Sequence, residues 1–209
     1  MIGIVNNAFH GWVSEHLGPE AWLRIAEQVE TSVFIGTEED DDRVTAELAA
    51  VTAAETGLSV EDVLERVGEH FGRDCAGRDF GVLLNAGGAT YRDFLRGLPD
   101  LQTRFALIYP NTKPPRFALA DEGPESLTIV HHTAREGLSA LLGGVLAGLA
   151  SVFSVTATVE RRSGLSEEGP FHEFRVRWKE KVAPRPAVPR PAALPPSRRP
   201  VGTTRLAVA

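Results

Sequence analysis

Three polar residues at alternate positions, His131, Thr133 and Arg135, form a pattern suited to binding an anion. In an extended chain, alternate side chains point to the same side. An imidazole N–H, a hydroxyl and a guanidinium all donate hydrogen bonds, which a carboxylate accepts. The pattern alone leaves two interpretations, an anion-binding corner and an ordinary solvated surface. His132 should point the opposite way, so we expect one of the two adjacent histidines to be packed and the other exposed.

Catalytic chemistry is poorly represented in the sequence. It contains no GxSxG, HExxH, P-loop or GxGxxG motif, and no two histidines are four residues apart. Cys75, the single cysteine, is flanked by Arg73 and Arg78, whose charge would favour a thiolate. A lone cysteine is more often a packed residue than a nucleophile. A sequence with one cysteine also cannot form an internal disulfide or a cysteine-based zinc knuckle. We therefore expect neither an enzyme nor a metal site of a standard type.

The elements that must position these residues fall into two groups. Helical spacing of apolar residues predicts helices in the first half of the chain, at Pro19–Glu30, at Arg43–Thr56, after a cap at Ser59 and after a cap at Thr90. Alternating apolar residues predict strands in the second half, at Arg116–Asp121, Leu127–His132, Ser154–Arg162 and Phe171–Trp178, with one helix from Gly137. Gly164–Gly169 is predicted to form a turn between the last two strands. Helices followed by an antiparallel sheet predict an α+β fold.

The last 29 residues differ in composition from the rest of the chain. The formal charge of the whole sequence is −6, but residues 181–209 hold six basic residues, no acidic residue and seven of the 14 prolines. Residues 1–180 therefore carry −12. We expect an acidic folded domain at 1–180 and an extended, disordered tail at 181–209. The acidic domain argues against nucleic-acid binding, and the tail is either a plain flexible terminus or a contact for an acidic surface.

A run without formal charge extends from Gly137 to Val159 and is long enough to cross a membrane. Its glycines and serines lower its hydropathy, and after Phe153 the pattern alternates as a strand does. A buried helix followed by a strand explains the run better than a membrane span. The N-terminus also lacks the pattern of a signal peptide, so we expect a cytoplasmic protein.

Several segments in order resemble the H-NOX family, the haem nitric-oxide/oxygen-binding domains of soluble guanylate cyclases and bacterial sensors. They are the start Met-Ile-Gly-Ile-Val-Asn, Phe94-Leu-Arg-Gly-Leu98, Tyr109-Pro-Asn-Thr-Lys-Pro-Pro-Arg-Phe117 and His131-His-Thr-Ala-Arg-Glu-Gly-Leu138. The resemblance covers residues 1 to about 178. It implies a helical N-terminal subdomain and a C-terminal subdomain made of a helix and an antiparallel sheet, in agreement with the α+β prediction.

The resemblance also implies which residues face the cofactor. Family members bind haem iron through a histidine, and Gln102 takes its place here. An amide is a poor iron ligand compared with an imidazole. The family motif Tyr-x-Ser-x-Arg, which binds the haem propionates, corresponds to His131, Thr133 and Arg135. The distal tyrosine of oxygen-binding members would fall near Ala140, where no tyrosine lies. The implied cofactor-binding set is Ile4, Gln102, Pro115, His131, Thr133 and Arg135.

Three functions stay open on this basis. The domain is a sensor that holds b-type haem or another tetrapyrrole without histidine ligation, a domain that binds a different apolar or anionic ligand, or a protein-interaction module. The resemblance implies signalling through a separate histidine kinase, cyclase or cyclic-dinucleotide enzyme. In the family, ligand binding at iron strains the histidine link, so without that histidine a switch would depend on occupancy of the pocket.

Overall fold

The computed structural model describes residues 3–29, 42–75, 88–108, 116–132, 137–167 and 169–180. Within these ranges, helices come first and an antiparallel sheet crossed by one helix follows, which confirms the predicted α+β fold. The tail at 181–209 lies outside the described residues, so the division of the chain at residue 180 stays a prediction.

The helices precede the sheet in the sequence. They are α1 (Gly3–His16), α2 (Pro19–Gln28), α3 (Asp42–Thr56), α4 (Val60–His70) with a π-helical turn (Phe71–Cys75), α5 (Tyr91–Arg96) and α6 (Leu98–Ile108). The apolar pattern predicts α2 to α5 but misses α1 and α6. Asn6, Asn7 and Gly11 weaken the helical signal of α1, and Pro99 does so in the first turn of α6, where proline is in fact tolerated.

Both predicted helix caps are confirmed. The Ser59 hydroxyl accepts a hydrogen bond from the backbone N–H of Asp62 at 3.0 Å, at the start of α4. The Thr90 hydroxyl accepts one from the N–H of Asp93 at 3.1 Å, at the start of α5. Each bond satisfies a backbone donor that the helix leaves without an internal partner, so these two boundaries follow directly from the sequence.

The described strands form one antiparallel sheet in the order β1-β2-β4-β3. They are β1 (Arg116–Gly123), β2 (Ser126–His132), β3 (Val155–Ser166) and β4 (Gly169–Glu180). The β3–β4 hairpin is longer than predicted, because pairing continues to Ser166 and Gly169 in what the sequence suggests is a turn. One face of the sheet is buried, with Leu127 and Ile129 of β2 opposite Val176 and Phe174 of β4.

Helix α7 (Ser139–Leu149) lies between β2 and β3 in sequence and contacts β3 and β4. A short 3₁₀ helix (Ala150–Phe153) follows, and Ser154, with a φ of 58°, turns the chain into β3. The uncharged run is therefore a helix followed by a strand, as predicted. No helix in the described ranges is long and apolar enough to span a membrane.

Helices α4 and α7 meet at their backbones through glycines. A Cβ atom added at Gly68 would lie 2.1 Å from the Leu141 carbonyl oxygen, and one added at Gly144 would lie 2.0 Å from the Glu65 carbonyl oxygen. Gly148 has a similar contact, 2.2 Å from the Glu69 carbonyl oxygen. Since real side chains do not approach a backbone oxygen so closely, only glycine allows this helix pair.

We predict that Gly144→Ala lowers the free energy of unfolding by about 3 kcal/mol, because the methyl group would push α4 and α7 apart. The measurement is urea unfolding followed by circular dichroism. Gly123→Ala is the control for the glycine-to-alanine change, since its methyl group would meet only the side chain of Ser126. Equal losses in the two variants would show that the backbone contact is not what stabilises this helix pair.

Candidate ligand site

A row of side chains crosses the buried face of the sheet at the end where β2 stops. The register pairs Phe117 with His131, His131 with His172, and His172 with Ser163. The ring centroids of Phe117 and His131 are 5.2 Å apart, and those of His131 and His172 are 6.5 Å apart. His131 lies on the same face as Leu127 and therefore at the edge of the core.

His131 and His132 do point to opposite faces, as predicted. The ring of His132 lies 6.4 Å from the ring of Phe171, its cross-strand neighbour. The expectation that one histidine is packed and the other exposed is wrong, because both are partly buried. Phe171 covers His132 on the outer face in the same way that Phe117 covers His131 on the inner face.

His172 is the second imidazole at this end of the sheet. Its Nδ1 shares a hydrogen bond of 2.8 Å with the Ser163 hydroxyl. Burial lowers the pKa of His172, and the positive charge of Arg161 lowers it further. A neutral imidazole can donate one hydrogen bond and accept another, so His172 offers polar contacts without a fixed charge.

The guanidinium of Arg161 already forms ion pairs within the fold, so it is not the cation for an anionic ligand here. Its guanidinium lies 2.6 Å from Glu61 and 3.4 Å from Glu65, both on α4, and 3.5 Å from the Ser139 hydroxyl on α7. With a side chain only 19% exposed, it joins β3 to both helices. A cation for the ligand must come from elsewhere, and Arg135 is the arginine that follows β2 in sequence.

The buried tyrosine next to α7 also makes a hydrogen bond within the fold. The hydroxyl of Tyr91 donates a hydrogen bond to the Leu146 carbonyl oxygen at 2.5 Å. Burial raises the pKa of this phenol, so it stays protonated. At the position where the family resemblance places a distal tyrosine, Ala140 is buried with 1% of its surface exposed. Neither residue offers a free phenol hydroxyl to a ligand.

The structure describes some of the six predicted site residues in more detail than others. Of the six, His131 is described with its side chain. Gln102 lies in α6, which packs against β1, and Ile4 lies in α1, but their side chains lie outside the described residues. Pro115, Thr133 and Arg135 also lie outside them, directly before β1 and after β2. The role of each stays a prediction.

Sequence reasoning missed three members of the row, Phe117, Ser163 and His172. The alternation along β4 does place His172 on one face with Phe174, but it does not say which residue of another strand lies opposite. That information comes from the register, which pairs His172 with His131 although 41 positions separate them.

We predict that stability falls as the pH drops below about 6.5, partly because of His172. Since the pKa of His172 is lower in the folded state, the unfolded state binds more protons in this pH range. Acidification therefore stabilises the unfolded state more than the folded state. His172→Gln should therefore show a shallower loss of unfolding free energy between neutral and mildly acidic pH. Thr158→Gln, at an exposed position of β3, controls for the new side chain. A slope unchanged by His172→Gln would contradict this role.

The sequence is also similar to those of known proteins. A family model described as HNOB, Haem-NO-binding, matches residues 2–161. Soluble guanylate cyclase 89Db of Drosophila melanogaster is 22% identical over 155 residues, which cover 73% of this chain and 23% of that protein. Soluble guanylate cyclase gcy-33 of Caenorhabditis elegans is 24% identical over 155 residues, which cover 73% of this chain and 16% of that protein. The chain spans less than a quarter of the length of these relatives.

Solved structures share the fold. The Fe(II) unliganded H-NOX protein from K. algicida superposes with a TM-score of 0.72 at 20% sequence identity, covering 88% of this chain and 99% of that chain. An H-NOX protein from S. oneidensis in the Fe(II)NO ligation state gives a TM-score of 0.73 at 14% identity, covering 86% and 100%. At this level of identity the likeness concerns the fold.

Proposed function

Since the chain belongs to the haem-NO-binding (H-NOX) family, we propose that it is a sensory domain that holds haem or another tetrapyrrole without a histidine at position 102. The observation that carries the proposal is the position of His131. Its imidazole lies on the inner face of the sheet, at the end of the strand that leads into Thr133 and Arg135.

The residues present fit one part of a tetrapyrrole and not the other. An imidazole, a hydroxyl and a guanidinium close together in sequence fit the carboxylates of the ring's edge, as donors to an anion. The amide of Gln102 does not fit the iron, because neutral imidazole and thiolate are the usual protein donors. Binding of the ring by this domain would therefore not include an iron–protein bond.

Affinity would come from burial of the ring and from its carboxylates. At about 25 cal/mol per Å², burying some 200 Å² of apolar ring surface contributes about 5 kcal/mol. One hydrogen bond between a charged donor and a carboxylate adds about 1.5–3 kcal/mol. Together they favour binding by about 6.5–8 kcal/mol before the entropy lost on association is subtracted, so a site without an axial ligand needs both contributions.

A switch in this domain would depend on whether the pocket is filled. A ligand shifts the balance between two conformations only if it binds one more tightly than the other. The helical part and the sheet are joined by the glycine contact of α4 with α7 and by Arg161. Movement of one part against the other would transmit occupancy to a separate partner, such as a histidine kinase, a cyclase or a cyclic-dinucleotide enzyme.

A second candidate function follows from the same glutamine. If ring burial alone is too weak, the pocket would bind a different apolar or anionic ligand, or the domain would act as a protein-interaction module. The colour of the purified protein and the mass of any small molecule that copurifies with it distinguish these functions. A colourless sample that carries a lipid or an organic acid would favour this second function.

We predict that the purified protein shows a weak Soret band and that Gln102→His raises haem retention severalfold, because it restores an imidazole donor. The measurement is the ratio of Soret to protein absorbance after haem loading and gel filtration. Gln28→His is the matched control, since Gln28 is an exposed residue of α2.

Two results would contradict this prediction. A strong Soret band of the histidine-ligated type in the unmodified protein would mean that another residue ligates iron. Equal haem retention by Gln102→His and Gln28→His would mean that position 102 does not face the iron.

A further inference from the structure

A second group of ionisable side chains lies away from the sheet, between α1 and the C-terminal end of α4. Glu15 on α1, His70 at the end of α4 and Asp74 in the π-helical turn place one nitrogen or oxygen ligand atom each within 4.8 Å of one another. From these contacts we propose that the three residues bind a divalent transition-metal ion, with zinc as the representative. This site is independent of the tetrapyrrole pocket proposed above.

The two distances from the histidine to the carboxylates match those around a tetrahedral ion. His70 Nδ1 is 3.2 Å from Asp74 Oδ2 and 3.4 Å from Glu15 Oε2. Zinc binds nitrogen and oxygen at about 2.0–2.1 Å, so two ligand atoms at a tetrahedral angle lie about 3.3–3.4 Å apart. The imidazole is therefore placed to share an ion with either carboxylate, and the two carboxylates, within 4.8 Å of each other, would close around it. A fourth position would be left for water or a further ligand.

His70 is the buried member of the group and points into it. Only 7% of its surface is exposed, and its Nδ1, which faces both carboxylates, makes no hydrogen bond within the described part of the chain. A buried polar atom without a hydrogen bond is costly, and a cation between this nitrogen and the two carboxylates would remove the cost.

The surrounding backbone is shaped for this imidazole. A Cβ atom added at Gly11 on α1 would lie 2.7 Å from His70 Nε2, so the glycine makes room for the ring. Asp74 follows in the π-helical turn Phe71–Cys75, and such turns occur frequently at functional sites.

Arg73 positions one of the carboxylates. Its Nη2 and Nε lie 2.7 and 2.9 Å from Asp74 Oδ2 and donate to it. Both bonds end on Oδ2, so a cation would bind Asp74 either by replacing one of these bonds or through Oδ1 of the same carboxylate. Hydrogen bonds to ligating carboxylates are a normal part of metal sites, because they fix the orientation of the ligand. A groove of about 370 Å³ reaches His70 from solvent, and it is lined by Trp12, His16, Arg66, Glu69, His70 and Arg73.

The test is isothermal titration calorimetry of zinc chloride into the full chain without an affinity tag. We expect one zinc ion bound per chain and a dissociation constant on the order of 100-fold weaker, or more, in His70→Gln, because losing a ligand should cost at least as much as losing one of its supporting hydrogen bonds. Glu69→Gln is the matched control, since Glu69 is an exposed acid that lines the same groove without belonging to the cluster. It should bind zinc as the parent does.

Glu15→Gln keeps the test valid if His70→Gln does not fold. The Glu15 side chain is 56% exposed, so its substitution should leave the fold intact, and we expect it to weaken zinc binding at least about tenfold. Cobalt(II) in place of zinc should give the visible absorbance of a tetrahedral nitrogen and oxygen site in the parent, and that absorbance should be lost in both variants. The proposal is overturned if the parent binds zinc no better than His70→Gln, or if Glu69→Gln loses as much affinity as Glu15→Gln.

Discussion

Helices α4 and α7 are in contact backbone to backbone, and the positions of both proposed sites depend on that contact. Gly68 and Gly144 bring the two helices so close that a methyl group at either position would overlap a carbonyl oxygen. α7 lies against β3 and β4, and α4 lies against α1 and α3, so one helix pair connects the sheet to the N-terminal helices. Arg161 reinforces the connection by contacting Glu61 and Ser139 from β3.

The two proposed sites lie on either side of this helix pair. On the sheet side, the imidazoles of His131 and His172 end the buried face, next to the segment that leads to Thr133 and Arg135. On the other side, His70 stands at the end of α4 between two carboxylates. A metal ion there would tie α1 to the end of α4, and by binding the folded state it would stabilise the helical half. Occupancy of one site could then affect the other through the α4–α7 contact and through Arg161.

Local signals in the sequence predict much of the fold. Ser59 and Thr90 mark helix starts because their hydroxyls accept backbone hydrogen bonds, and the alternation in β2 and β4 marks strands. The length of the β3–β4 hairpin was not predictable in this way, since cross-strand pairing overrides the turn preference of Gly164–Gly169.

The candidate sites depend on pairings that no local pattern contains. His172 meets His131 only because of the strand register, and Glu15 meets His70 only because α1 packs on α4. The sequence alone predicts His131, Thr133 and Arg135 because those residues are close along the chain. It therefore predicts the part of the site that lies on one segment and misses the partners that folding brings from other segments.

Binding of a tetrapyrrole through its ring and carboxylates, without an iron bond, is tested most directly by comparing haem with iron-free protoporphyrin IX. Both are titrated into the haem-free full chain while tryptophan fluorescence is followed. We predict dissociation constants within about threefold of each other, a difference of less than 1 kcal/mol, because the two molecules share the same ring and carboxylates. Haem binding 100-fold or more tightly than protoporphyrin IX would contradict this, since about 2.8 kcal/mol of affinity would then come from the iron.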